Sequence, residues 1–174
     1  MSKVVLFIAT SLDGYIASAD GTVDWLFHDA DYGYREFMSS VEAIIIGRTT
    51  WEQAKTFETV PFAGKNIYVF SRSNTEQGDD RVRFVQDDVV NVIDTIRAQI
   101  TKNIWLVGGG DLIHQFIASR LIDEFRLFIH PIVLGHGIPL FHPQALRTDL
   151  TFEGSQSFPS GLVELKYRRS SSPV

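Results

Sequence analysis

Gly108, Gly109 and Gly110 stand in a row between the apolar run 104–107 and a stretch in which Leu112, Ile113, Phe116 and Ile117 recur at helical spacing. Glycines at a strand-to-helix handover have two uses. One is a tight turn. The other is a phosphate: bare backbone lets an anion approach closely, and the following helix offers unpaired N–H groups and partial positive charge. Related residues recur at two more strand ends, Gly47-Arg48-Thr49-Thr50 after the run 43–46 and Ser71-Arg72-Ser73 after 66–70. A fixed cation flanked by hydroxyls suits phosphate oxygens, and is equally well a solvated surface charge. In an open α/β sheet ligands bind beyond the carboxyl ends of the strands, so three such turns would converge on one rim.

Standard fingerprints do not account for these turns. Gly108 and Gly110 open a G-x-G-x-x-G pattern, but Ile113 holds the place of its third glycine, and no G-x-x-x-x-G-K-[ST] loop occurs. Metal chemistry is not indicated either. His28, His114, His130, His136 and His142 show no ligand spacing, and there is no cysteine to form a thiolate, a disulfide or a Cys-zinc site. His136, between Gly135 and Gly137, is the histidine to watch, although a plain loop role accounts for it.

The elements that must position these groups alternate along the chain. Runs 4–9, 43–46, 66–70, 82–85 and 104–107 are apolar and suit strands of a parallel sheet buried on both faces. Asp88 is placed to cap a helix bearing Val89, Ile93, Ile96 and Ile100. The last third differs: 124–133 reads as a long strand, and 150–158 faces 162–168 across Pro159-Ser160-Gly161 as a hairpin. There Val163, Leu165 and Tyr167 alternate with Glu164, Lys166 and Arg168, which predicts one wet face. The expected architecture is α/β, a mainly parallel central sheet ending in antiparallel strands, in one domain spanning 1–169 with a tail at 170–174.

The 174 residues carry 44% hydrophobic and 21% charged side chains and a net charge of -5, the balance of an ordinary globular protein. An acidic chain of this kind is a poor nucleic-acid binder. The apolar run 4–9 is too short for a signal peptide or a membrane span, which leads us to expect a cytoplasmic protein without membrane partners.

In order and spacing, "IATSLDGYIA", "GRTTWE", "FSRSN", "VGGGDLIHQF" and "PIVLGHGIPLF" resemble the dihydrofolate reductase superfamily. They are most similar to its branch related to the reductase domain of bifunctional riboflavin-biosynthesis proteins. The resemblance implies a dihydrofolate-reductase-like three-layer fold, NADPH bound in an extended pose, and a homodimer. It places Gly47, Arg48, Thr49 and Thr50 on one side of the pyrophosphate and Gly108, Gly109, Gly110 and Leu112 on the other. Ser71, Arg72 and Ser73 would surround the adenosine ribose, where a cation favours NADP over NAD. Backbone groups of Ala9, Thr10 and Ile16 would meet the nicotinamide carboxamide.

One departure from the superfamily is Asp111, after the glycines, whose carboxylate we expect to turn toward the helix N-terminal amides. Hydride transfer belongs to the cofactor, which leaves the protein to position it, exclude water and supply a proton. Trp25 lies in a loop, 16–25, that could close as a lid. Beyond it come Asp29, Asp31, Tyr32 and Tyr34, none matching the superfamily's acid cleanly. Asp31 is the catalytic candidate, and equally an N-cap; Trp25 and Tyr32 are the substrate-binding candidates. The implied substrate is a pteridine-like or ribosylaminopyrimidine-like heterocycle, or a carbonyl compound. Two other readings stay open: a cofactor-binding module without turnover, and a non-enzymatic assembly protein whose C-terminal hairpin pairs with another chain.

Overall fold

Alternating apolar residues on the central strands pack against helices on both faces of one sheet in the computed structural model, which describes residues 2–56, 62, 64–73, 78–143 and 147–170. Residues 171–174 of the expected tail lie outside the described residues. In chain order the elements are β1 (Val4–Ser11), β2 (Tyr15–Ala17), α1 (Tyr34–Ser39), β3 (Val41–Gly47), α2 (Arg48–Ala54), β4 (Asn66–Phe70) and β5 (Val82–Val85). There follow α3 (Val89–Arg97), β6 (Asn103–Gly108), α4 (Gly110–Ala118), β7 (Glu124–His130), β8 (Ile138–Pro139), β9 (Leu150–Ser157) and β10 (Val163–Arg169).

The main sheet has the order β5-β4-β3-β6-β1-β7-β10-β9, and β2 and β8 form a separate two-stranded ribbon. Pairing is parallel from β5 through β7 and antiparallel where β10 meets β7 and β9. This is the dihydrofolate-reductase-like three-layer α/β fold. Period-two side chains build its layers. Leu6 of β1, Ile45 of β3 and Leu106 of β6 face α3 and α4, meeting Ile93, Ile96, Ile113 and Phe116. Val5, Ile44, Ile46 and Trp105 face the other way, against Phe37 of α1 and Trp51 of α2. Each fully buried Ile or Leu contributes about 2 kcal/mol of burial free energy.

Helix α3 starts as expected, with Asp88 accepting from the Val90 amide at 2.8 Å. Strand β7 stops at His130 rather than running on to Val133, because Pro131 has no N–H to donate and the Ile132 amide turns back onto the His130 carbonyl. The hairpin is formed, but its expected wet face is corrected at Glu164, the most buried residue of β10. Its Oε1 lies 2.6 Å from Arg126 Nη2 on the paired strand β7, and Arg126 also lies over the Phe7 ring. A buried carboxylate with a guanidinium fork beside it loses less than an isolated one.

Candidate active site

The carboxyl ends of β4, β3, β6, β1 and β7 open into one cleft of about 1400 Å³, bordered by residues of α2 and of α4. At its middle the β3–α2 and β6–α4 turns abut. A Cβ on Gly109 would lie 3.5 Å from Gly47 Cα and 3.6 Å from Thr50 Oγ1, while Gly109 itself has φ +100°. Both uses of the glycines are therefore compatible. They let two turns touch, and they leave bare backbone facing the cleft. A Cβ on Gly110 would come within 3.3 Å of Ile138 Cγ2 on β8, so this wall is closed from above.

Gly47, Arg48, Thr49, Thr50, Ser71, Arg72, Ser73, Gly108, Gly109, Gly110 and Leu112 all line the cleft, as do Ala9 and Ile16. Thr10 does not; its buried hydroxyl donates to the Ser11 carbonyl at 3.0 Å. Arg48 is braced by Glu52 one turn along α2 at 2.8 Å and lies over the Phe84 ring. Asp111 departs from its expected role. Its Oδ2 accepts from Arg72 Nη2 at 3.3 Å instead of capping α4. Asp111 sits inside the first turn, beyond the N-cap Gly109, and the guanidinium is a stronger donor than a backbone amide.

The loop expected as a lid is anchored at both ends by residues whose importance the sequence did not signal. Asp13 accepts from Ser11 Oγ at 2.6 Å and from the amides of Leu134 and Gly135 at 3.1 and 2.7 Å. The Ser11 hydroxyl, with the Gly135 and Leu134 amides, holds its carboxyl down at about 2. The "SLDGYIA" and "PIVLGHGIPLF" segments are thus two halves of one structure, completed by β2–β8 pairing. A Cβ on Gly137 would drive into the Ala17 carbonyl, which fixes glycine there. At the other end His130, 3% exposed, accepts the Phe27 amide on Nε2 at 3.2 Å and faces the Phe128 carbonyl with Nδ1 at 3.1 Å. That geometry requires the neutral Nδ1–H tautomer, and burial pushes the His130 pKa down. His136, by contrast, is exposed.

Trp25 does not line the cleft; its ring stands edge-on to His130 at 5.2 Å, packing the lid from behind. Asp31 and Tyr32 do line it, at the end farthest from Arg72. The Asp31 carboxylate accepts weakly from the Arg35 amide at 3.3 Å and pairs with its guanidinium at 3.4 Å, but Asp31 is not the N-cap expected of it: that position belongs to Gly33, because α1 starts only at Tyr34. Tyr32 donates to Asp29 at 2.6 Å, which raises its phenol pKa, and its hydroxyl meets Ser160 of the hairpin at 2.9 Å. Tyr34, Phe7, Trp105 and Phe128 complete this end with aromatic surface.

The family model of the RibD C-terminal domain matches residues 2–164. The chain belongs to that family. It is 38% identical over 172 residues to the uncharacterized protein YwjB of Bacillus subtilis (strain 168), covering 97% of this chain and 98% of that one. A crystal structure from Shewanella sp. PV-4, of a protein assigned provisionally to riboflavin biosynthesis, superposes with TM-score 0.86 at 31% identity, covering 98% and 99% of the two chains. The Thermotoga maritima diaminohydroxyphosphoribosylaminopyrimidine deaminase/5-amino-6-(5-phosphoribosylamino)uracil reductase shares the fold, with TM-score 0.77 at 15% identity; the match covers 97% of this chain and 57% of that one. Among the described residues no helix is long and apolar enough to cross a membrane.

Proposed function

We propose that residues 1–169 form an NADPH-dependent reductase of a small heterocyclic or carbonyl substrate, a cytoplasmic relative of riboflavin-biosynthesis reductases. The observation that carries this reading is the meeting of three small, cationic or hydroxyl-bearing strand ends in one cleft that continues into an aromatic pocket. The cradle fits the cofactor: the glycine turns leave no side chain where a diphosphate would pass, and Arg48 and Arg72 flank it.

Bound there, NADPH supplies the hydride. Gly47, Thr49, Thr50 and the 108–110 turn would hold its pyrophosphate, with Leu112 beneath. Ser71, Arg72 and Ser73 would hold the adenosine end, where Arg72 meets a 2′-phosphate; Ala9 and Ile16 would border the nicotinamide. The lid tied by Asp13 and His130 keeps water from the reacting atoms. Asp31, the carboxylate of the far end that lines the cleft, is assigned the proton that the reduced substrate takes up. The homodimer expected from the resemblance belongs to the same proposal; the open edge strand β9, with Phe152 57% exposed, supports it. The test of the reductase is loss of NADPH absorbance in the presence of oxidised pteridines, aminopyrimidines and conjugated carbonyls. Turnover with at least one is expected, and tight NADPH binding without any oxidation would favour a binding module.

A further inference from the structure

We propose that the substrate end of the cleft selects a neutral planar ring or conjugated carbonyl compound and disfavours a phosphorylated one. This inference rests on the reductase reading and narrows its substrate class. The walls at that end are Phe7, Phe27, Tyr34, Trp105, Phe128 and Leu162. Phe7 alone has ring contacts with Tyr34 at 6.3 Å, Trp105 at 6.1 Å and Phe128 at 4.4 Å. Aromatic edges and faces disposed in this way favour a flat, weakly polar guest.

Charge points the same way. Among the described residues lining the cleft, Arg48 and Arg72 are the arginines and there is no lysine. Both belong to the cofactor rim, at the ends of β3 and β4. None of the residues outside the described ones is a lysine or arginine. The nearest cations behind the far end are committed elsewhere: Arg126 to Glu164 at 2.6 Å, and Arg35 to Asp31 at 3.4 Å from a side chain that is 91% exposed. His130 accepts the Phe27 amide on Nε2 and so presents no donor there; His28, just beyond the 16–25 loop, is the imidazole that lines this end, and it is exposed to water.

The acidic side chain that lines this end is Asp31, paired at 3.4 Å with Arg35, with Asp29 held nearby by Tyr32. A phosphate dianion entering here would give up water for an aromatic wall that carries no lysine or arginine. Reduction itself needs no such group. A hydride from the nicotinamide adds to the carbon of a C=N or C=O bond, a proton adds to the nitrogen or oxygen, and NADP⁺ is released.

The test is calorimetric titration with matched pairs, riboflavin against its 5′-phosphate and 5-amino-6-(ribosylamino)uracil against its 5′-phosphate, with 1,4-naphthoquinone as a neutral carbonyl probe. The protein is saturated with NADP⁺ so that the phosphate rim is filled. Binding of at least one neutral probe is expected, with the phosphate weakening it about tenfold or more. A phosphorylated member that binds as tightly as its neutral partner overturns the inference, and so does failure of every neutral probe to bind. Failure of NADP⁺ to bind counts against the reductase reading alone; the rim then offers phosphate no hold, and the pairs are compared on the protein by itself.

Discussion

Arg72 and Asp111 face each other across the mouth of the cleft, Nη2 and Oδ2 3.3 Å apart, the first from the turn after β4 and the second from the first turn of α4. Both side chains are largely exposed, 92% and 78%, so the pair is weak and screened by salt. It nevertheless occupies the cation that would take a 2′-phosphate. Asp111→Asn is expected to tighten NADPH binding about twofold to fivefold at low ionic strength, converging with the parent at high salt. Equal affinities at low salt would show that Arg72 is not the phosphate ligand. Arg72→Ala should remove any preference for NADPH over NADH.

Asp13 joins two segments that are 121 residues apart. Asp13→Ala should leave the sheet folded while amide exchange at Leu134, Gly135 and Tyr15 accelerates, since these amides lose the carboxylate or the Ser11 hydroxyl it holds. Unchanged exchange at Leu134 and Gly135 would mean that β2–β8 pairing alone orders the lid.

His130 predicts a pH dependence of definite sign. Burial holds its folded pKa below the ordinary 6.5, with the charge of His28 adding to the effect and the Phe128 carbonyl opposing it. Between the two values the unfolded chain binds the extra proton, so the stabilisation is complete above the unfolded value and is lost as pH falls. The melting temperature should fall as pH drops from about 7.5 to about 5.5, and amide exchange at Phe27 should rise with it. His130→Gln, which keeps an acceptor for the Phe27 amide, should flatten this contribution.

Glu164→Gln leaves Arg126, only 16% exposed, without its carboxylate partner. Denaturant unfolding should show a loss of about 3 kcal/mol. The double change Arg126→Met with Glu164→Leu should recover much of it. A single change that costs under about 0.5 kcal/mol would mean that water and the Phe7 and Phe37 ring faces hold the Arg126 guanidinium without the carboxylate.

The strand ends were legible because three apolar runs are each followed by small residues, with a cation and hydroxyls at two of them, and the sheet brings the three turns together. The full length of β1 was not, because Thr10 and Ser11 are polar and become strand only by pairing with Ile129 and His130. Asp111, Asp13 and Glu164 share one reason for being misread or missed. Each carboxylate is defined by a partner 38 to 122 residues away, which local spacing does not encode. His130 shows no ligand spacing, and its role is to accept a backbone amide 103 residues distant. Helix α1 has six residues and β8 two, too short to show a period.

Thermal melting with increasing NADPH tests most directly whether the three strand ends grip the diphosphate and 2′-phosphate of a dinucleotide. Stabilisation should grow with concentration, reaching about 2.7 kcal/mol at a hundredfold excess over Kd. It should exceed that from NADH at equal concentration and shrink to the NADH level in Arg72→Ala. Melting curves that superimpose with and without NADPH, with the fluorescence of Trp105 unmoved, would contradict the assignment of this cleft to the cofactor.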